Sequence, residues 1–148
     1  MLPAPKAFTL FMQITAEAGG KRLMSECKIY RVVVADDEPE FRKWLKSLMD
    51  DSKDFQLVGE ANNGTEAIRL IPFVLPDLVI ADMYMPEPDG LEVARYVQHN
   101  FSSMKAILVS AYEERVYENL AKEEGALAFI PKTRLSLDAL RQALKRGE

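Results

Sequence analysis

From Ile29 onward the chain alternates short apolar, β-branched runs with longer stretches whose apolar residues recur at helical spacing, and five such pairs can be counted. A strand buried on both faces reads as continuous apolar sequence, whereas a helix lying on a sheet carries one apolar stripe. The alternation therefore predicts a parallel sheet with helices on both sides. The first pair is "IYRVVVA" (29–35), ended by Asp36, and a helix with Phe41, Trp44, Leu45, Leu48 and Met49 at i, i+3, i+4, i+7 and i+8. Pro39 suits the first turn of that helix, and all five stripe residues are expected in the core.

The second strand is "FQLVGEA" (55–61), after which Asn63 is placed to cap a helix and Glu66 to answer it in a capping box. Ala67, Ile68, Leu70 and Ile71 are that helix's apolar set, and Pro76 stops its continuation. The third strand, "DLVIAD" (77–82), is apolar on both alternating sets and is expected to be central. "MPEPDG" is turn chemistry, followed by a helix with Leu91, Val93, Ala94 and Val97 inward that ends near Asn100. The fourth strand is "KAILVSA" (105–111). Glu113 and Glu114 are then expected in the first turn of a helix, where negative charge suits the dipole, with Gly125 as its C-terminal cap. "ALAFIP" (126–131) is the fifth strand, and Ser136 begins a last helix with Leu137, Leu140, Ala143 and Leu144 inward.

Composition narrows the class. A chain of 148 residues, 48% hydrophobic, has material for one substantial core, and a net charge of -4 without a basic block argues against a nucleic-acid groove. The single cysteine, Cys27, permits no intrachain disulfide and is read as an ordinary small residue. The single histidine, His99, excludes a His-pair metal site, argues against a Ser/His or Cys/His catalytic pair, and is placed at a helix-end surface. No apolar run approaches the ~18 residues of a membrane span. Residues 1–28 show no clear period. Lys6, "AFTLFMQI" and "AEA" loosely imitate a signal peptide, but Thr9 and Gln13 interrupt the apolar part. The expectation is an N-terminal extension over 1–28, either a loosely ordered arm or sequence upstream of a natural start at Met24, and one domain over 29–148.

The chemistry lies at the strand ends. In a doubly wound sheet all strands point their C-terminal ends at one edge, where ligands bind. The first and third strands would be neighbours there, bringing Asp36, Asp37 and Asp82 into one pocket. Three carboxylates so close repel and raise each other's pKa unless a cation joins them, and a hard ion such as Mg²⁺ is the natural answer. Ser110 and Lys132 arrive at the same edge with a hydroxyl and an ammonium suited to a phosphoryl group. Taken singly these residues have bland readings: Asp37 as a helix cap, Lys132 as a surface lysine, Phe129 as core.

Five pieces, "VVVADDEP", "GEANNGTEAI", "PDLVIADMYMPEPDGLEV", "LVSA" and "GALAFIPK", occur in an order and spacing that closely resemble the receiver domain of two-component response regulators, over Ile29 to Arg146. The resemblance implies a flavodoxin-like (βα)5 fold with strand order 2-1-3-4-5. It implies that Asp82 is the phosphoacceptor, taking a phosphoryl group from the phosphohistidine of a histidine kinase or phosphotransfer protein. With Asp82 in the metal site, Asp37 would bind Mg²⁺ directly, Asp36 largely through water, and the backbone carbonyl of Tyr84 would complete the set. Ser110 would bond a phosphoryl oxygen and Lys132 would pair with it. Ser110 and the aromatic Phe129 would form the switch, remodelling the face made by the fourth helix, fifth strand and fifth helix, through which a homodimer is also expected. A cytoplasmic, non-membrane, non-DNA-contacting chain, catalysing only its own phosphoryl transfer and dephosphorylation, completes what the resemblance implies. The residues agree, since an ionised carboxylate needs no general base and phosphoryl transfer needs mainly alignment and charge neutralisation.

The chain departs from the family at several points. Thr133 stands where many relatives have proline, Pro131 precedes Lys132, and Ser110 and Phe129 replace the commoner Thr and Tyr. Phe129 has no hydroxyl, so its inward state would rest on packing. Tyr84 and Tyr112 fall where relatives tune acyl-phosphate lifetime, and their bulk is expected to limit attacking water. Rival readings are an aspartate-nucleophile phosphatase of the haloacid dehalogenase type and a receiver that only binds partners. The first needs acid, spacer, acid and Thr where this chain has "DDEPE"; the second is opposed by the intact acids and Lys132. No linker or helix-turn-helix follows the last helix, so the expectation is either a stand-alone receiver or a piece of a longer DNA-binding transcription regulator.

Overall fold

A computed structural model describes residues 28–147. The expectations about the leader, Met24 and Cys27 fall outside the described residues, as does Glu148 at the end of the expected domain. The strands are β1 (Tyr30–Ala35), β2 (Phe55–Ala61), β3 (Leu78–Asp82), β4 (Lys105–Ser110) and β5 (Ala128–Pro131). The helices are α1 (Pro39–Asp50), α2 (Gly64–Val74), α3 (Gly90–Asn100), α4 (Arg115–Glu123) and α5 (Leu137–Arg146), with a short 3₁₀ turn at Lys132–Arg134. All pairings are parallel, in the order β2-β1-β3-β4-β5. This is the flavodoxin-like arrangement expected from the sequence.

Period-two alternation divides the core into two layers. Val32, Val34, Ile80 and Ile107 face Leu45 and Met49 of α1 and Leu140 and Leu144 of α5. Ala35, Val79, Ala81 and Leu108 face Ala67 and Ile71 of α2 and Val93, Ala94 and Val97 of α3, with Ala121 of α4 beside them. Each fully buried aliphatic side chain contributes ~1.5–3 kcal/mol. β3 is buried at every position because both of its neighbours and both of its faces are covered.

The helix stops follow local chemistry. Asn63 Oδ1 accepts from the Glu66 N–H at 2.8 Å, but Glu66 Oε1 accepts from the N–H of Asn62 at 2.6 Å, so the expected capping box is displaced by one residue. A complete box forms instead at α3, between Asp89 and Glu92, where the sequence suggested only a turn. Gly125 follows α4 at φ +85°, a left-handed conformation that glycine adopts without strain, and Ala126 N–H closes onto the Ala121 carbonyl at 2.9 Å. Leu75, after α2, holds φ +50° with a side chain present. Arg31 steadies it, Nη1 donating to the carbonyls of Val74 and Leu75 at 2.9 Å each.

Two expectations are corrected. Trp44 is 43% exposed rather than core, because α1 turns Leu45 and Met49 onto the sheet and leaves the indole at the border of the stripe, against Phe41 at 5.8 Å. Glu113 and Glu114 lie before α4 rather than within it: Glu114 is the N-cap, without a side-chain cap bond, and Glu113 reaches across to Thr133 and Arg134. Asp37 caps nothing, since Glu38 occupies the N-cap of α1, also without a side-chain bond. Among the described residues no helix is long and apolar enough to cross a membrane.

Candidate functional site: an acidic pocket at the strand ends

The apolar runs of β1 and β3 are pinned to each other residue for residue, Val32 opposite Leu78 through Ala35 opposite Ala81. The next residues along, Asp36 and Asp82, therefore emerge side by side. Carboxylate oxygens of Asp36, Asp37 and Asp82 lie within 4.8 Å of one another, a grouping of acids able to hold a metal ion among the described residues. Asp36 is fully buried, Asp82 is 5% exposed, and Asp37 faces solvent.

Lys132 is the cation that answers them. Its Nζ is 2.8 Å from Asp36 Oδ2, 2.6 Å from Glu38 Oε1 and 3.2 Å from Asp82 Oδ2, and it sits 4.4 Å from the centre of the Phe41 ring. The sequence supplied Lys132; it gave no role to Glu38, whose side chain is turned back over 94 positions to share that ammonium. Burial works against the lysine's charge, but its close contacts with Asp36 and Glu38 and the charges of Asp82 and Asp36 hold its pKa above the ordinary value.

One ammonium does not neutralise this pocket. Burial pushes Asp82 up to about 6 and the Asp36 charge adds to that, against the opposing Tyr84 N–H and Lys132. Burial likewise raises Asp36, only partly offset by Lys132 and the Glu38 N–H. Asp36 Oδ2 has the lysine beside it but no donor aimed at it in hydrogen-bond geometry. An all-oxygen donor set, an under-satisfied buried carboxylate oxygen and an excess of negative charge fit a hard divalent cation such as Mg²⁺.

The backbone holds this arrangement closely. Arg42 Nη1 donates to the Asp36 carbonyl at 2.6 Å, the Tyr84 N–H donates to Asp82 Oδ1 at 3.1 Å, and the Met83 N–H donates to the Val109 carbonyl at 2.9 Å. The first residue of α3 packs so tightly on this turn that a Cβ at Gly90 would stand 2.3 Å from the Asp82 carbonyl oxygen. Only glycine fits there. Ser110, fully buried at the end of β4, lies opposite Pro131 and accepts the Tyr112 N–H on Oγ at 3.1 Å. Ser110 and Lys132 thus end neighbouring strands at the edge where the acids emerge.

Phe129 is half-buried on β5, and Tyr117 of α4 stands against it with ring centres 5.8 Å apart. Tyr117 also meets Tyr84 edge-on at 5.7 Å, and Tyr84 meets Tyr112 edge-on at 5.6 Å. The hydroxyls of Tyr84 and Tyr117 are hydrogen-bonded, and that bond, with lesser help from burial and the Glu114 charge, pushes the Tyr117 hydroxyl up to about 12. Tyr117 carries no sequence signal, because nothing in the amphipathic pattern of α4 says which of its residues meets a loop 33 positions away. His99 is exposed in the last turn of α3, as expected.

With this geometry in place, comparison with known proteins assigns the class. The family model for the response regulator receiver domain matches residues 32–145, and the chain belongs to that family. It is 36% identical to the chemotaxis protein CheY of Listeria monocytogenes over 117 residues, covering 79% of this chain and 97% of CheY. It is 34% identical to the transcriptional regulatory protein YhcZ of Bacillus subtilis over 99 residues, 67% of this chain and 46% of YhcZ, and it likewise covers 47% of NarL of Mycobacterium tuberculosis. The chain thus spans about half the length of these transcriptional regulators. The solved receiver domain of the M. tuberculosis NarL superposes with a TM-score of 0.73 at 33% identity, over 80% of this chain and 96% of that one. The protein is a receiver domain of two-component signalling, a class that binds Mg²⁺ through an acidic pocket and partners with histidine kinases or phosphotransfer proteins.

Proposed function

We propose that Asp82 is the phosphoacceptor. The observation that carries this reading is the placement of Asp82 Oδ2, 3.2 Å from Lys132 Nζ, within a cluster of acids at the end of the central strand. In the transfer, a carboxylate oxygen of Asp82 attacks the phosphorus of a phosphohistidine. The new P–O bond forms as the P–N bond breaks, and the departing imidazole nitrogen keeps the electron pair and is protonated from solvent. No general base is required, because the nucleophile reacts as the carboxylate.

Asp37, Asp82 and the Tyr84 carbonyl would hold Mg²⁺ directly and Asp36 largely through water. Bound there, the ion supplies neutralisation of charge on the phosphoryl oxygens. Lys132 orients the phosphoryl group from the β5 side and exchanges its contact with Asp82 for one with a phosphoryl oxygen. The Ser110 hydroxyl is the donor drawn toward that group, and Phe129 follows by packing, which remodels the face formed by α4, β5 and α5. That face is the proposed site of homodimer formation. Catalysis is confined to the domain's own phosphorylation and dephosphorylation.

Acetyl phosphate carrying labelled phosphorus, with Mg²⁺, should add one hydroxylamine-labile phosphoryl group to the wild type and none to Asp82→Asn. Labelling of Asp82→Asn at the wild-type level would sink the assignment. The bulk of Tyr84 and Tyr112, both more than a third exposed beside the pocket, limits attacking water. Tyr84→Ala should accordingly hydrolyse its acyl phosphate faster, and an unchanged decay rate would count against that role. The match to transcriptional regulators supports output through a DNA-binding segment, while the full-length match to CheY supports a stand-alone receiver. The native open reading frame distinguishes the two.

A further inference from the structure

Four aromatic rings, Tyr112, Tyr84, Tyr117 and Phe129, form an unbroken chain from the loop after β4, over the turn that carries Asp82, to the last strand. Successive ring centres are 5.6, 5.7 and 5.8 Å apart. The two tyrosine contacts are edge-to-face at 83° and 81°, an arrangement aromatic quadrupoles favour. At the centre of the chain is the one link with direction, the hydrogen bond between the Tyr84 and Tyr117 hydroxyls. It ties α4 to the residue whose N–H donates to Asp82 Oδ1. Phe129 has no hydroxyl to offer, and Tyr117, packed against it, supplies one.

We infer that Tyr117 is a positioning residue for dephosphorylation: its hydroxyl holds the Tyr84 ring beside Asp82, so that phosphoryl lifetime and the seating of α4 are set by one hydrogen bond. This rests on the assignment of Asp82 as phosphoacceptor. In the step concerned, a water oxygen attacks phosphorus as the P–O bond to Asp82 breaks. Asp82 leaves as the carboxylate, and the water's proton passes to solvent or phosphate. A tethered Tyr84 ring narrows the approach of that water, whereas a released ring swings into solvent, to which it is already half exposed. The same release frees α4, because the hydrogen bond is its polar link to the Asp82 turn.

The test compares Tyr84→Phe, Tyr117→Phe and the double variant, which keep every ring and remove only hydroxyls. After labelling with acetyl phosphate, each single variant should lose its phosphoryl group about two- to tenfold faster than wild type, the range one hydrogen bond spans. The double variant should decay no faster than either single one, since the two hydroxyls act through one bond. A Tyr117→Phe decay rate equal to wild type, or effects that multiply in the double variant, would overturn the inference. A second measurement does not depend on phosphorylation. In the unmodified protein, amides of Arg115–Glu123 should exchange with solvent about two- to tenfold faster in both single variants, again without summing in the double. Unchanged protection would also overturn it. If no label enters the wild type, the Asp82 assignment fails by itself, and amide exchange still decides the role of Tyr117 in seating α4.

Discussion

The two edges of the sheet treat their acids in opposite ways. Where the strands end, burial pushes Asp82 up to about 6 and raises Asp36, with Lys132 shared among three carboxylates. Where β2 begins, Asp54 accepts from Arg141 Nε at 2.7 Å and Nη2 at 2.9 Å, and that fork holds its pKa below the ordinary value despite slight burial. Asp77, at the start of β3, accepts the Arg31 N–H at 2.8 Å. One edge matches its charges and the other concentrates like charges on purpose. The mismatch coincides with the edge to which the phosphoryl chemistry is proposed to belong.

Lys132→Ala should show the largest effect. Phosphoryl transfer from acetyl phosphate should slow by about 10²-fold, the usual scale for removing a pre-placed charge from such a site. The same variant leaves buried carboxylates without their cation and should lose about 3 kcal/mol in urea denaturation at pH 7. The loss shrinks toward pH 5 as Asp82 takes up a proton. Equal stability at both pH values would mean that the lysine does not balance the acids.

Asp82→Asn separates function from stability with opposite signs. The native state keeps the Asp82 proton up to about pH 6, while an unperturbed carboxyl releases it near 3.8. Between those values the folded protein binds the additional proton, so stability falls as pH rises and the full cost stands above about pH 6. In metal-free buffer at pH 8 the asparagine variant should therefore be more stable than wild type by about 1–3 kcal/mol, a gap that closes as the pH falls toward 4. Mg²⁺ should narrow the gap at pH 8 by stabilising wild type preferentially. A variant less stable than wild type under all these conditions would contradict the electrostatic account.

Arg141→Ala probes the matched edge and should do least. It should lower Tm modestly at pH 7 and leave acetyl phosphate labelling at the wild-type level. Asp54's folded pKa is depressed, so the stability from its pairing is present above its unfolded value and lost as pH falls through the folded one. The difference in Tm should thus fade below about pH 4. A labelling defect in this variant would break the division between the two edges.

How much of this was legible in the sequence follows from where each residue gets its position. Asp36, Asp82 and Ser110 were readable because each terminates an apolar run, and parallel strands bring their ends to one edge whatever the loops do. Lys132 followed for the same reason. Trp44 was misread because an apolar stripe gives a helix's period but not its rotation on the sheet, which Leu45 and Met49 decided. Glu38, Glu113 and Tyr117 were unreadable for a different reason. Their partners lie 94, 21 and 33 positions away and are set by loop paths that carry no periodic signal. The capping chemistry at Asp89 was missed because "DG" is equally a turn and a helix start, and only the Glu92 side chain folding back decides between them.

The register of the outermost strand has a consequence for assembly. Val32 pairs with Leu57 and Val33 with Gly59, so Val58 is skipped and β2 carries a bulge in its pairing with β1. A flat open strand is a template on which a second chain can extend the sheet indefinitely, and an extra residue twists and breaks that template. The opposite side is closed by other means, since β5 is four residues long and ends in a proline that has no N–H to donate. Among the described residues both outer strands thus carry features that disfavour extension of the sheet by a second chain, so association through the sheet and association through the helical faces proposed above are separate matters.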